Sequence, residues 1–127
     1  MIFPDDRKYS AEHEWILVEG DEATIGISEF AANALGDVVY VDLPSEDDEF
    51  SLGDTFGEVE SVKSVSELYM PLDGTVIALN DSLENAPETI NADPYGNGWL
   101  MRVKLYDLAQ VDDLLDAEAY EALVADK

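Results

Sequence analysis

Lysine is scarce in this chain: 127 residues hold only Lys8, Lys63, Lys104 and Lys127, against 30 aspartates and glutamates. One of them, Lys63, stands in the run Glu-Ser-Val-Lys-Ser-Val at 60–65, between two groups of strand-forming residues. Its amine could form a Schiff base with a carbonyl or an amide with an acyl group. The Schiff base calls for a desolvated lysine with a lowered pKa, whereas surrounding carboxylates favour the charged ammonium. A covalent carrier needs something else: a projecting amine on a stiff support, reachable by a modifying enzyme and free to swing afterwards. Val62 and Val65 are restricted at χ1 and form strands, so they would hold a hairpin tip rigidly. Most surface lysines are simply solvated. With 30 acids already supplying solubility, that role leaves Lys63 little to add.

The remaining reactive residue types offer less. His13 is the only histidine, with no serine or cysteine motif beside it, and is expected to be structural or at the surface. Asp47, Asp48 and Glu49 imitate a calcium loop without its glycine and ligand spacing. The absence of cysteine removes disulfides, thiolate metal sites and a cysteine nucleophile. No nucleophile–base pair, metal cluster or phosphate-binding glycine loop is visible, which argues against an independent enzyme.

The elements that must position Lys63 are short and β-rich. Residues 14–18 and 23–27 read as a hairpin across Glu19-Gly20-Asp21-Glu22. "SEFAANALG" is a two-turn helix with Ser28 as N-cap, Glu29 at the positive end of the dipole and Gly36 as its stop. Strands are expected at 37–44, 55–62, 64–70, 74–80 and 99–106, and an acidic loop at 45–50. Gly74 is expected to permit a tight turn. Short helical turns broken by Pro87 follow the strand at 74–80, and a final helix capped by Asp116 carries Tyr120, Leu123 and Val124 on one side. Trp15 and Trp99 should fill the core. The expected fold is mainly β, a compact sandwich or barrel with peripheral helices, in one domain spanning 1–127.

Charge bounds the partners. The formal net charge is −24, which repels nucleic acid and anionic membranes alike. Yet 46% of residues are hydrophobic and the acids are interspersed among them, so an acid-coated globular domain is expected rather than a disordered tail. Such self-repulsion is tolerable where salt shortens the Debye length to about 3 Å, near 1 M. A salt-rich cytoplasm, as in halophiles, is the expected setting. The first residues, MIFPDDRKYS, show no apolar signal core, and no run of about 18 apolar residues could span a bilayer.

The stretch "ESVKSVSELYMPLDGTV" resembles the lipoyl-lysine segment of the glycine cleavage system H proteins. The likeness extends to "HEW" at 13–15, "GISEFAANALGDVVYVDLP" at 26–44, "GDTFGEVESVKSVSELYMPLDGTVIALN" at 53–80 and "NADPYGNGWLMRVKL" at 91–105. Related biotinyl carriers flank their lysine with methionines, and lipoyl domains of 2-oxoacid dehydrogenases show an Asp-Lys-Ala core; neither occurs here. The chain departs from the family at 45–49, where a glycine-containing loop would follow "LP".

The resemblance implies a barrel–sandwich hybrid of the lipoyl/biotinyl-carrier type and a non-enzymatic shuttle. It implies lipoic acid in amide linkage to Lys63, and Glu60 as a candidate for recognition by the lipoate-attaching enzyme. The implied partners are a pyridoxal-phosphate glycine decarboxylase, a tetrahydrofolate-dependent aminomethyltransferase and a flavin-containing dihydrolipoyl dehydrogenase. The carrier would work as a monomer. Two alternatives use the same residues: a relay passing lipoyl groups to other enzymes, and an interaction module whose lysine is never modified. Val62, Val65 and Leu68 are the apolar candidates for partner contact, although a strand must turn some of them inward.

Overall fold

The computed structural model describes residues 1–125. Its strands are β1 (Lys8–Tyr9), β2 (Glu14–Glu19), β3 (Glu22–Ile27), β4 (Val38–Asp42), β5 (Glu49–Phe50), β6 (Thr55–Ser61), β7 (Val65–Tyr69), β8 (Gly74–Leu79) and β9 (Met101–Leu105). The helices are α1 (Glu29–Leu35), α2 (Thr89–Ala92) and α3 (Ala117–Ala125), with 3₁₀ turns at Asp81–Glu84 and Leu108–Asp113. One sheet runs β1-β2-β3-β9-β8-β5 and the other β4-β6-β7, and the pairings in both are antiparallel. The two sheets share a core. Ile16, Ile25, Val76 and Val103 from the first sheet pack with Val38, Phe56, Val59 and Leu68 from the second. This is the expected mainly β barrel–sandwich architecture.

Local chemistry explains the elements that hold the site. The Ser28 hydroxyl accepts from Ala31 N at 3.1 Å, and the Gly36 N–H donates to Ala32 O at 3.2 Å, so α1 begins and ends where its caps dictate. Gly20, at φ +66°, turns β2 into β3. The Asp116 carboxylate caps α3 by accepting from Ala119 N at 2.8 Å. That helix buries Tyr120 and Val124 with Leu123 half-buried beside them; Asp126 and Lys127, which the expected helix includes, lie outside the described residues. Trp15 and Trp99 pack as expected, but in a second cluster with Tyr9, Tyr95 and Tyr120 rather than in the shared core.

Two expectations change. Gly74 opens β8 instead of making a tight turn: a Cβ there would lie 3.0 Å from Lys104 O and 3.3 Å from Val103 Cβ, so the missing side chain lets β8 lie close to β9. The acidic segment 45–50 is not all loop, because Glu49 and Phe50 pair with Thr75 and Gly74 as β5. Ahead of them Asp47 sits at φ +73°, with Asp48 accepting from Ser45 N at 2.9 Å. His13 also has positive φ, +73°, and its Nδ1 lies 2.8 Å from the Tyr120 hydroxyl, a structural role in the aromatic cluster.

Candidate carrier site

Lys63 lies at the tip of the β6–β7 hairpin, and its side chain is exposed. The tip closes without a glycine. Ser61 N donates to Ser64 O at 2.8 Å, and the Ser61 hydroxyl accepts from Lys63 N at 3.3 Å and Ser64 N at 3.1 Å. A side-chain oxygen therefore gathers the backbone donors that a tight turn leaves pointing at nothing. The tip is also tied sideways: Val62 N donates to Asp37 O at 3.0 Å, continuing the pairing of Val38 with Ser61. Sequence reasoning saw the stiff valines and missed both devices. Ser61 and Ser64 flanking the lysine were the available signal for the first; nothing near Lys63 in sequence signals the second.

The amine is left for solvent. Ion pairs among the described residues join Arg7 to Asp6, Arg102 to Glu19 and Glu22, and Lys104 to Asp21, and none takes up Lys63. The side chain is neither entombed nor locked to a carboxylate. Half-buried Glu60 sits on the outward side of the second sheet, paired across strands with Tyr40 and Val65. That side is apolar near the tip: Val62 is 69% exposed, Val65 58% and Tyr40 53%. Leu68, at 4%, faces the core and drops out of the contact candidates.

Beside the tip, between α1 and β7, runs a groove of about 310 Å³. Phe30, Ala34, Leu35 and Val65 form apolar walls, and Glu12 and Glu67 stand on its lining. A larger hollow of about 400 Å³ lies beyond it, under Tyr69 and Met70, and includes no residue of the tip. Glu14 lines that hollow; burial raises its carboxyl to about 8, opposed by hydrogen bonds from the Ser10 hydroxyl at 2.5 Å and Tyr69 N at 3.4 Å. The site thus combines an exposed amine, a stiff tip and an adjoining apolar trough with acids on it.

The glycine cleavage H-protein model matches residues 7–127. The chain belongs to that family. It is 52% identical to the glycine cleavage system H protein of Staphylococcus haemolyticus (strain JCSC1435), with 99% of this chain and 100% of the relative aligned. Against the same protein of Staphylococcus carnosus (strain TM300) the identity is 49%, with the same coverage. The crystal structure of a glycine cleavage system H protein from Mycobacterium marinum superposes with a TM-score of 0.88 at 41% identity, covering 96% of this chain and 98% of the other. Family membership makes this a carrier protein of glycine cleavage, not a catalyst.

Proposed function

We propose that Lys63 is the lipoyl attachment point and that the chain shuttles an aminomethyl group from glycine decarboxylase to the aminomethyltransferase, with dihydrolipoyl dehydrogenase closing the cycle. The observation that carries this reading is the exposed, unpaired amine on a hairpin tip fixed by Ser61 and Asp37. A lipoyl group in amide linkage there supplies a redox-active dithiolane on a long tether; the difficult chemistry stays with the partners' pyridoxal phosphate, tetrahydrofolate and flavin. Every other contribution is the chain's own. The tip holds the attachment point still, so each partner meets the arm at raised effective concentration. The groove between α1 and β7 suits such an arm, since its apolar walls match a hydrocarbon tether. Glu12 and Glu67 would favour an amine-bearing, cationic end over a neutral one, and the walls would shield it from water.

Glu60, on the outward side just before the tip, is assigned to recognition by the lipoate-attaching enzyme, together with the exposed valines. The setting we propose is a salt-rich cytoplasm, because a net charge of −24 needs screening to stay compact. The melting temperature should then rise steadily from dilute buffer to molar KCl, and a flat or falling trend would remove that setting. Long-range steering is screened in such a medium, so docking leans on close contact at Val62 and Val65.

Intact-mass analysis tests attachment. Protein from cells supplied with lipoate should gain one lipoyl-sized increment, absent from Lys63→Arg and retained in Lys104→Arg. An unmodified wild-type chain under those conditions would end the carrier reading of Lys63. If the lipoylated chain fails to support glycine–bicarbonate exchange with the decarboxylase, the lipoate-relay alternative takes precedence.

A further inference from the structure

We propose that Asn91, on α2, is a positioning residue for Lys63, acting through the Gly36-Asp37 turn on which the carrier tip rests. The inference builds on the reading of Lys63 as the modified residue. Asn91 Oδ1 accepts from Val38 N at 2.9 Å, while Nδ2 donates to Gly36 O at 2.8 Å and to Ala32 O at 3.4 Å. One primary amide thus meets the carbonyl on one side of Asp37 and the N–H on the other, as a peptide unit of a neighbouring strand would. The reverse amide orientation would set donor against donor at Val38 and acceptor against acceptor at Gly36, so the network fixes it.

Held on both sides, Asp37 turns its carbonyl to Val62 N, 3.0 Å away. The next residue lays its stem on the same turn: a Cβ at Gly36 would stand 2.9 Å from Lys63 Cε. Gly36 is at φ +79°, where glycine is favoured, so the turn's conformation and the lysine's track depend on the same missing side chain. A backbone hydrogen bond and a stem contact together aim the amine, and both run through a turn that Asn91 clamps. Asn91 needs no contact with the lysine to do this.

Two measurements on the full-length, unmodified chain test it: amide hydrogen exchange, and steady-state lipoylation with a lipoate-attaching enzyme, lipoate and ATP. Asn91→Asp keeps an acceptor for Val38 N but sets an oxygen against the Gly36 carbonyl. It should speed exchange at Val62 about tenfold beyond any change at Val103, and raise KM for the chain about fivefold with kcat within about twofold. Val124→Ala, in the aromatic cluster, lowers global stability and should leave KM unmoved. Should Asn91→Asp not fold, Gly36→Ala, which leaves the amide in place, must show the same rise in KM. Unchanged Val62 exchange in Asn91→Asp, or a wild-type KM in both variants, would overturn the proposal. Failure of the wild-type chain itself to accept lipoate would overturn the reading of Lys63 instead, and Val62 exchange would still decide whether Asn91 holds the tip.

Discussion

The hairpins β2–β3 and β6–β7 solve the same geometric problem in opposite ways. The first turns on Gly20 at φ +66°, in open space, where a Cβ would meet nothing within 4 Å. Its end is laced to β9 by charge: Arg102 pairs with Glu19 at 3.2 Å and Glu22 at 2.9 Å, and Lys104 lies 3.7 Å from Asp21. The second has no left-handed residue at its tip; order comes from the Ser61 hydroxyl and the Asp37 carbonyl. One tip engages the available cations in exposed pairs, each worth about 0–1 kcal/mol. The other reaches definite shape through backbone and hydroxyl bonds and leaves its cation unengaged. The attachment point proposed at Lys63 suits that design, because a lysine held by its charge would lose its anchor on acylation.

The strongest way to break this separation acts where the hairpins share a base. Glu14 opens β2, and its carboxyl accepts from Tyr69 N at the end of β7. Burial raises its pKa from 4.5 to about 8. The unfolded chain therefore loses this proton near pH 4.5 while the fold keeps it to about pH 8, so the native state binds more protons throughout that window. Stability from this group is fully present below pH 4.5 and is lost as pH rises toward 8, on the order of 5 kcal/mol. Glu14→Gln imitates the protonated form and should flatten that part of the decline. Melting temperatures of both proteins from pH 4.5 to 8 check it. Parallel curves would mean that the carboxyl is ionised in the fold and that the two bases are not coupled through it.

How much of this was legible follows the range of the interactions. Ser28, Gly36 and Asp116 act on backbone groups within a few positions, and each does in the fold what its residue type dictates. The strands β6, β7 and β8 carry enough consecutive strand formers to be read locally. The two-residue strands β1 and β5 have no such run; Tyr9 is placed by pairing with Trp15 and Leu115, and Phe50 by pairing with Gly74. Gly74 was misread for the same reason, since what it allows is a neighbour contributed by β9. At the site, Lys63 stood out through its own type and its valines. Asn91 could not, because its bond to Val38 spans 53 positions and is made by the packing of α2 on the α1–β4 junction.

The smallest expected effects sharpen the comparison most. Gly20→Ala puts a side chain into a left-handed position and should cost about 1 kcal/mol of global stability. Ser61→Ala removes the hydroxyl shared by Lys63 N and Ser64 N and should cost a similar amount, about 1 kcal/mol. Denaturant midpoints alone would not tell these variants apart. Lipoylation should: the Gly20 variant is expected to be acylated at the wild-type rate, because its turn only reverses the chain. The Ser61 variant should be acylated several-fold more slowly, because its loss falls on the backbone that aims the amine. Equal rates in the two variants at matched stability would mean that the attaching enzyme orders the tip for itself, and that the difference between the hairpins serves the fold rather than the carrier.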